Sequence, residues 1–524
     1  MDWATQPDPF RMFDGAEKLF LDVVPPGDDP AYDALFQPGS VPPAAVDQRS
    51  ISQLFFDSLA LSAWKSIQGS RWPLRVNPSS GNLHPTEGYL IAGPVSGLND
   101  RPAVYHYTPF HHALEVRSAL RPEAWEPLAA ALPGDAFLVG FTSIHWRESW
   151  KYGERAFRYC HLDVGHAVAA MAAAAAALGW EATLLAGVSD SEMGVLLGAA
   201  GQTGMEAEHP DCLLLLHPGA GTGTPGPRPS LRIPTPVLTM LQENPWHGTP
   251  NILSRGHHAW PVIDEVSEAA FLDEAAQEEA FTPVPADSPP SRRGVRPLSG
   301  RGIIRQRRSA MAMDGKTAIP RDTFFHILER TVPALNPVLF NTLPWKPCIH
   351  LVLFVHRVEG LASGLYLLVR NPADRDAIRA AVEGDFRWTA PEGCPEHLHL
   401  ALLEEKDCQD ISNIISCSQD IASDGAFALG MLAGFEPEIR SRGAWFYKRL
   451  YWEAGAIGQI LYLEAEAAGV RATGIGCFLD DVMHRLLGLR DRTFQSLYHL
   501  TVGGPVSDPR LRTEVPYQDR ETSG

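Results

Sequence analysis

The chain has 524 residues, with 44 basic and 62 acidic side chains and a formal net charge of -18. That length exceeds one ordinary core and asks for two large domains or a duplication. Hydrophobic residues at 45% and charged residues at 20% are those of a folded globular chain, and the acidic balance opposes nucleic-acid binding, which needs a net basic face.

The first residues, MDWATQPDPF, are polar and hold two prolines, with no apolar signal core. The alanine-rich run Ala167–Leu178 falls short of the ~20 residues that span a bilayer and is expected to be a buried helix. A soluble, cytoplasmic protein with no membrane partner is expected. The seven cysteines are odd in number and none shows C-x-x-C spacing, so neither a disulfide framework nor a zinc ribbon is expected. There is no H-E-x-x-H, no P-loop lysine motif and no G-x-S-x-G elbow, and no metal site is expected. His397 and His399 alternate in HLHLALL as strand residues do, and His111-His112 reads as a turn between strands.

In chain order, EGYLIAGPV (87–95) and AVYHYTP (103–109) read as strands, bounded by Gly, Pro and Asn. A long helix is expected to start near Gly165-His166 and to stop at Gly179, where a left-handed cap belongs. A short strand, Ser189-Asp190-Ser191, a second helix ending in Leu196-Leu197-Gly198 and the apolar strand CLLLLHPG follow. Two Gly/Pro/Ser-rich breaks come next, at 219–236 and 282–300, with an acidic amphipathic piece at 263–280 between them. The second half repeats the plan. HLVLFVHRV and GLYLLVRN are strands, a long helix starts near Gly458-Gln459 and stops at Gly469, and Leu479-Asp480-Asp481 leads to Leu486-Leu487-Gly488 and LYHLTVGGP. So ordered a series marks a tandem duplication. The expected organisation is a first domain over 1–235, a linker with a short helix over 236–298 and a second domain over 299–524. Hairpins flanked by helices make the fold α+β.

Four segments carry candidate chemistry. Arg75–Pro85 (RVNPSSGNLHP) gathers small, turn-forming residues suited to bringing backbone N–H groups to a planar ligand. Arg305-Gln-Arg-Arg-Ser309 is a candidate phosphate clamp, because guanidinium forks match phosphate oxygens. Thr473-Gly474-Ile475-Gly476 permits close backbone approach. The tail after Gly503 carries Arg510 and Arg512.

Together these segments resemble the FMN-dependent nitroreductase family, and most closely its SagB-type dehydrogenase branch, which includes azoline oxidases. Pro78-Ser79-Ser80-Gly81-Asn82-Leu83-His84-Pro85 is similar to the family's Pro-Ser loop, and Arg307-Arg308-Ser309 to its phosphate motif, although Met311 stands where the family has a further basic residue. Trp150-Lys151-Tyr152-Gly153 and Arg158–His166 resemble the branch's segment before the long helix. The resemblance implies two nitroreductase-like domains forming an intramolecular pseudo-dimer, a plausible monomer. One FMN site would lie at the seam. Pro78, Ser79, Ser80 and Asn82 would come from the first half, and Arg307, Arg308, Ser309, Gly474, Ile475, Gly476, Arg510 and Arg512 from the second. The opposite site would be vestigial, since the second half reads LNPVLFNTLPWKP where the Pro-Ser loop belongs and the first half offers only Gln48-Arg49-Ser50 as a clamp. The implied activity is hydride transfer through the flavin, either NAD(P)H-dependent reduction or azoline-type oxidation of a small molecule or peptide. Tyr152, Lys151, His84 and Tyr447 are the candidate bases if a substrate C–H is oxidised. A flavin-binding or degenerate scaffold protein without turnover is the alternative.

Overall fold

The computed structural model describes residues 2–219, 231–274, 281 and 298–518. Most of both Gly/Pro-rich breaks, with the linker's end, lies outside the described residues.

Each half is built on one antiparallel sheet. In the first half the strands are β1 (Lys18–Phe20), β2 (Thr86–Ala92), β3 (Ala103–Thr108), β4 (Ala113–Ala119), β5 (Phe137–Ser143), β6 (Trp180–Leu184) and β7 (His209–Pro218), in spatial order β1-β4-β3-β2-β5-β7-β6. In the second half they are β8 (Ile349–Val355), β9 (Gly364–Leu368), β10 (Leu400–Glu405), β11 (Phe427–Gly434), β12 (Arg471–Ile475) and β13 (Phe494–Gly503), in order β10-β9-β8-β11-β13-β12. From β4 to β6 the first order superimposes element by element on the second, which is the duplication in three dimensions. The expected series has two middle strands per half; β4 and β5, and β10 and β11, complete the sheets. β4 carries buried Glu115 and Arg117, which break the apolar pattern, and Glu115 accepts from His106 across the ladder at 2.9 Å.

Strand periodicity sorts the core. Leu90, Ala92, Val139 and Phe141 face the molecule's centre, as do Leu351 and Leu353 of the other sheet. Their neighbours Tyr89, Ile91 and Leu138 face an outer layer, as Val352 and Phe354 do on the far side. The central cluster is continuous through both halves, so neither half closes its core alone.

Two long helices, α1 (Ala156–Ala176) and α2 (Phe446–Ala467), fill the space between the sheets and are buried along nearly their whole length. Both begin earlier than expected, because the aromatic and basic clusters before Gly165 and Gly458 are themselves buried helical turns. They end as expected, with Gly179 at φ 67° and Gly469 at φ 77°. The helices touch through glycine. A Cβ on Gly165 would lie 2.2 Å from the Trp452 carbonyl oxygen, and one on Gly455 would lie 2.1 Å from that of Leu162. The acidic piece after the first half forms a helix over Pro261–Ala269.

The halves also interlock at the ends of the second copy. Its first helix, Gly300–Gln306, lies on the first half, where Arg301 and Arg305 pair with buried Asp57 at 2.8 and 2.5 Å. At the other end Arg512–Glu514 adds a strand to the first half's hairpin, Leu61–Ile67 and Ser70–Arg75. Among the described residues no helix is long and apolar enough to cross a membrane.

In a helix interior Gly→Ala ordinarily stabilises by about 0.5–1 kcal/mol. Here the sign reverses. Gly455→Ala drives a methyl group into the Leu162 carbonyl and is expected to lower stability by about 1–3 kcal/mol, read as a lower midpoint in urea denaturation. A midpoint equal to or above that of the parent rules out the close crossing.

Candidate functional site

A cavity of about 680 Å³ opens at the seam beside the helix crossing. Its first-half wall is the Pro-Ser loop. Ser80–Asn82 is a single tight turn, with Gly81 at φ 60°, Asn82 at 60° and His84 at 53°. Three left-handed residues among four need outside support. The backbone N–H of Ser80 donates to Asp163 of α1 at 3.0 Å and its hydroxyl does so at 3.1 Å. The His84 N–H donates to Ser79 Oγ at 2.8 Å, and Asn82 Nδ2 donates to the Pro73 carbonyl at 2.9 Å. The loop is thus held from behind, and Pro78, Ser79, Ser80 and Asn82 all line the cavity.

The second half supplies the facing wall. Arg307, Arg308 and Ser309 follow the Gly300–Gln306 helix into the cavity, and Gly474 and Gly476 face it from the end of β12. Gly474 donates its N–H to the Tyr462 hydroxyl at 2.8 Å, and that hydroxyl also bonds Ser309 Oγ at 2.9 Å. A Cβ on Gly474 would lie 2.0 Å from the Tyr498 hydroxyl, so glycine is required where Tyr498 passes. His166 of α1 reaches across the seam to Tyr498, 3.1 Å from its hydroxyl, and both line the cavity.

Positive charge dominates the walls. Lys65, Arg75, Arg307, Arg308 and Arg471 line the cavity against only two carboxylates, Asp163 and Asp508. Asp508 is already bound to Arg510 at 2.7 Å, and Arg471 has a distant partner in Glu466 at 3.8 Å. Among the described residues Lys65, Arg75, Arg307 and Arg308 have no carboxylate partner. Arg307 donates to the backbone carbonyls of Val76 and Arg75 at 3.2 Å each, and Arg308 donates to those of Arg305, Arg307 and Ser62 at 2.8, 2.7 and 2.7 Å. Burial, with Arg307 and Arg471 nearby, pushes Arg308 down to about 9. Burial, Arg308 and Arg471 also lower Lys65. Cations that depress one another define a site an anion would relieve.

The candidate bases separate. Tyr152 and His84 line the cavity. Burial, with Glu148 nearby, raises the Tyr152 phenol, and burial with three neighbouring arginines holds His84 well below the usual imidazole range. Both are neutral near pH 7. His84 Nε2 bonds Asn82 Oδ1 at 3.0 Å, while its buried Nδ1 has no partner. Lys151 is exposed behind the loop, 5.2 Å from the Tyr152 ring. Tyr447 lies away from the cavity, bonded to Arg158 Nε at 3.2 Å and stacked on Phe157.

Three further residues fall elsewhere than the sequence suggests. Arg510 turns back on Asp508 at the surface, Arg512 is an exposed residue of the tail strand, and Ile475 is buried in the outer core. Arg510 and Arg512 do not line the cavity, although their tail neighbours Asp508, Leu511 and Thr513 do, as does Lys65 of the hairpin. Lys65 and Arg471 stand on separate elements, and no local motif marks either. Asp163 and His166 sit inside the quoted Arg158–His166 segment without a signal of their own.

The pseudo-equivalent position between β6 and α2 is closed. Thr342, in the segment matching the Pro-Ser loop, accepts a hydrogen bond from the Leu184 N–H at 3.0 Å. Trp345 packs with Trp452 and Arg449, and about 10 Å³ remains. Lys448–Asp190 at 2.5 Å there answers Arg158–Asp480 at 3.5 Å on the open side. Among the described residues no cluster could hold a metal ion. One disulfide is present, Cys417–Cys477, whose partners stand 60 residues apart.

The architecture is thus a two-copy α+β protein with an open cavity at the seam of its described residues. Residues 304–504 match the nitroreductase family model, so the second half is similar to that family. A stretch of 126 residues is 28% identical to a candidate nitroreductase of Methanocaldococcus jannaschii; it spans 23% of this chain and 62% of the relative's length. A candidate nitroreductase structure from Anabaena variabilis covers 97% of this chain and 95% of its own at 20% identity, with a TM-score of 0.68. The whole tandem fold is therefore that of a nitroreductase-type protein. A structure from Exiguobacterium sibiricum described as a nitroreductase in complex with FMN aligns over 39% of this chain and 88% of its own, at 12% identity and a TM-score of 0.23.

Burial raises Asp163 to about 7. A carboxyl raised in the folded state favours folding while protonated and loses that advantage as pH climbs from the unfolded value towards 7. Asp163→Asn keeps an oxygen acceptor for Ser80 and removes the ionisation. The stability of this variant relative to the parent is expected to grow by about 1.4 kcal/mol per pH unit across that window, measured by urea denaturation between about pH 5 and about pH 8. A difference independent of pH removes Asp163 as a titrating buried group.

Proposed function

We propose that this chain is an FMN-dependent oxidoreductase of the SagB-type branch that holds one FMN between its two nitroreductase-like domains. The observation that carries the reading is the cavity's set of cations without carboxylate partners, set between two turns rich in small residues. Arg308, Lys65 and Arg471 would hold the phosphate, with buried Arg307 adding positive potential behind them. Ser79, Asn82 and the backbone at Gly474 and Gly476 would hold the ribityl chain and the ring edge. FMN supplies reversible two-electron chemistry through hydride transfer at its N5.

The chain's own groups then bind, orient and exclude water. Asp163 fixes the Pro-Ser loop through both donors of Ser80. Tyr152, neutral at the cavity wall, is a proton donor rather than a base. His84 is likewise neutral and orients Asn82. NAD(P)H and an oxidisable small molecule or peptide are the candidate electron donors. The filled pseudo-equivalent position supports one flavin per chain, and the shared core supports a monomer that carries its own seam.

Purified protein is expected to be yellow and to release one FMN per chain on acid treatment. Arg308→Ala removes a charged hydrogen-bond donor, worth about 1.5–3 kcal/mol, and should weaken FMN binding about ten- to hundredfold in fluorescence titration, while Arg510→Ala leaves it unchanged. Equal losses from the two variants would move the phosphate to the tail. Tyr152→Phe should keep the bound-flavin spectrum and slow turnover by about a hundredfold. A colourless protein indifferent to FMN defeats the reading.

A further inference from the structure

The Cys417–Cys477 disulfide forms part of the cavity wall. Cys477 directly follows Gly476, is exposed, and lines the cavity together with Gln419. Its partner belongs to a turn between the helices Gln409–Ile415 and Asp420–Asp424. In that turn Cys417 stands at φ 55° and Ser418 at φ 57°, two successive left-handed residues that each cost about 1–2 kcal/mol.

Side chains on other elements hold the Gly476–Phe478 backbone that the disulfide clasps. The Gly476 carbonyl accepts from the Tyr159 hydroxyl. The Cys477 carbonyl accepts from Gln419 Nε2 at 3.1 Å, and the Phe478 carbonyl accepts from Arg155 at 3.3 Å. The Leu479 N–H also donates to the carbonyl of Ile415, at the end of the helix before the turn, at 2.7 Å. The remaining cysteines differ in kind, since Cys160, Cys212, Cys348 and Cys408 are buried and Cys394 is half-buried.

We propose that Cys417–Cys477 is a thiol-exchange site whose substrates are small dithiols, and that its opening loosens the Gly474–Phe478 wall of the cavity. A dithiol's thiolate attacks the exposed Cys477 sulfur, forming a mixed disulfide and expelling Cys417 as the thiolate. The dithiol's second sulfur then attacks the mixed disulfide and expels the Cys477 thiolate. The reagent leaves as a cyclic disulfide, oxidised by two electrons, and the protein gains the same two electrons and two protons. Exposed disulfides are those most open to such exchange. With the clasp gone, the left-handed turn is free to relax and Gln419 withdraws from the Cys477 carbonyl.

The effect on flavin rests on the reading above, so the test has arms that do not. Folded wild-type protein is treated briefly with dithiothreitol, alkylated and mapped by mass spectrometry. Label is expected at Cys417 and Cys477 and not at the four buried cysteines. Amide hydrogen exchange at 474–479 is expected to quicken on reduction, and to be already quick and insensitive to dithiothreitol in a Cys417→Ser/Cys477→Ser variant. FMN affinity is expected to fall about tenfold on reduction of the wild type, through lost preorganisation, with the double variant matching the reduced form. A pair that resists dithiothreitol in the folded protein overturns the proposal. So does labelling that leaves exchange at 474–479 unchanged. If neither redox state binds FMN, the flavin reading fails and the labelling and exchange arms alone decide this one.

Discussion

Everything in this molecule depends on how closely two helices cross. Where Gly165 meets Trp452 and Gly455 meets Leu162, backbone lies against backbone. That contact sets the distance between the sheets and puts Asp163 and His166 of one helix within reach of Tyr462 and Tyr498 near the other. The continuous central core gives the crossing its energy, since apolar burial there is shared by both copies. A bulkier residue at either glycine would separate the walls as well as weaken the packing.

The duplication is symmetric in backbone and asymmetric in chemistry. Both copies keep the strand order, the long helix and the left-handed stop after it. In one seam position small residues and a cluster of cations poor in carboxylate partners face each other around an open space. In the other, tryptophan and leucine fill the corresponding volume and a lysine is neutralised by aspartate. The contrast follows from side-chain size and charge pairing alone. Fusion into one chain is what permits it, because a true homodimer must build the same site twice.

Much of this was legible in the sequence. The repeat and the glycines that end the helices follow from order and spacing, which survive folding unchanged, whereas the division of the two key loops between the halves is what the resemblance to the nitroreductase family implies. What was not legible depends on partners remote in sequence. Lys65 and Arg471 carry no motif and become neighbours only when the tail strand seats on the hairpin. Arg510 and Arg512 resemble clamp residues, but an aspartate two positions before Arg510 captures it at the surface. Buried Glu115 hides β4 because the histidine that satisfies it lies on another strand. The disulfide escaped because its spacing matches no local pattern. The helix starts were placed late because the aromatic and basic residues before Gly165 and Gly458 are recognisable as buried helical turns only once α1 and α2 are packed between the sheets.

The tail strand Arg512–Glu514 has a consequence for how the protein comes into being. It closes the wall begun by the hairpin at 61–75, so segments far apart in sequence meet at one place. During synthesis the first copy leaves the ribosome with half its core uncovered and must wait for more than two hundred further residues. The cavity therefore takes its final shape only after translation has passed residue 514.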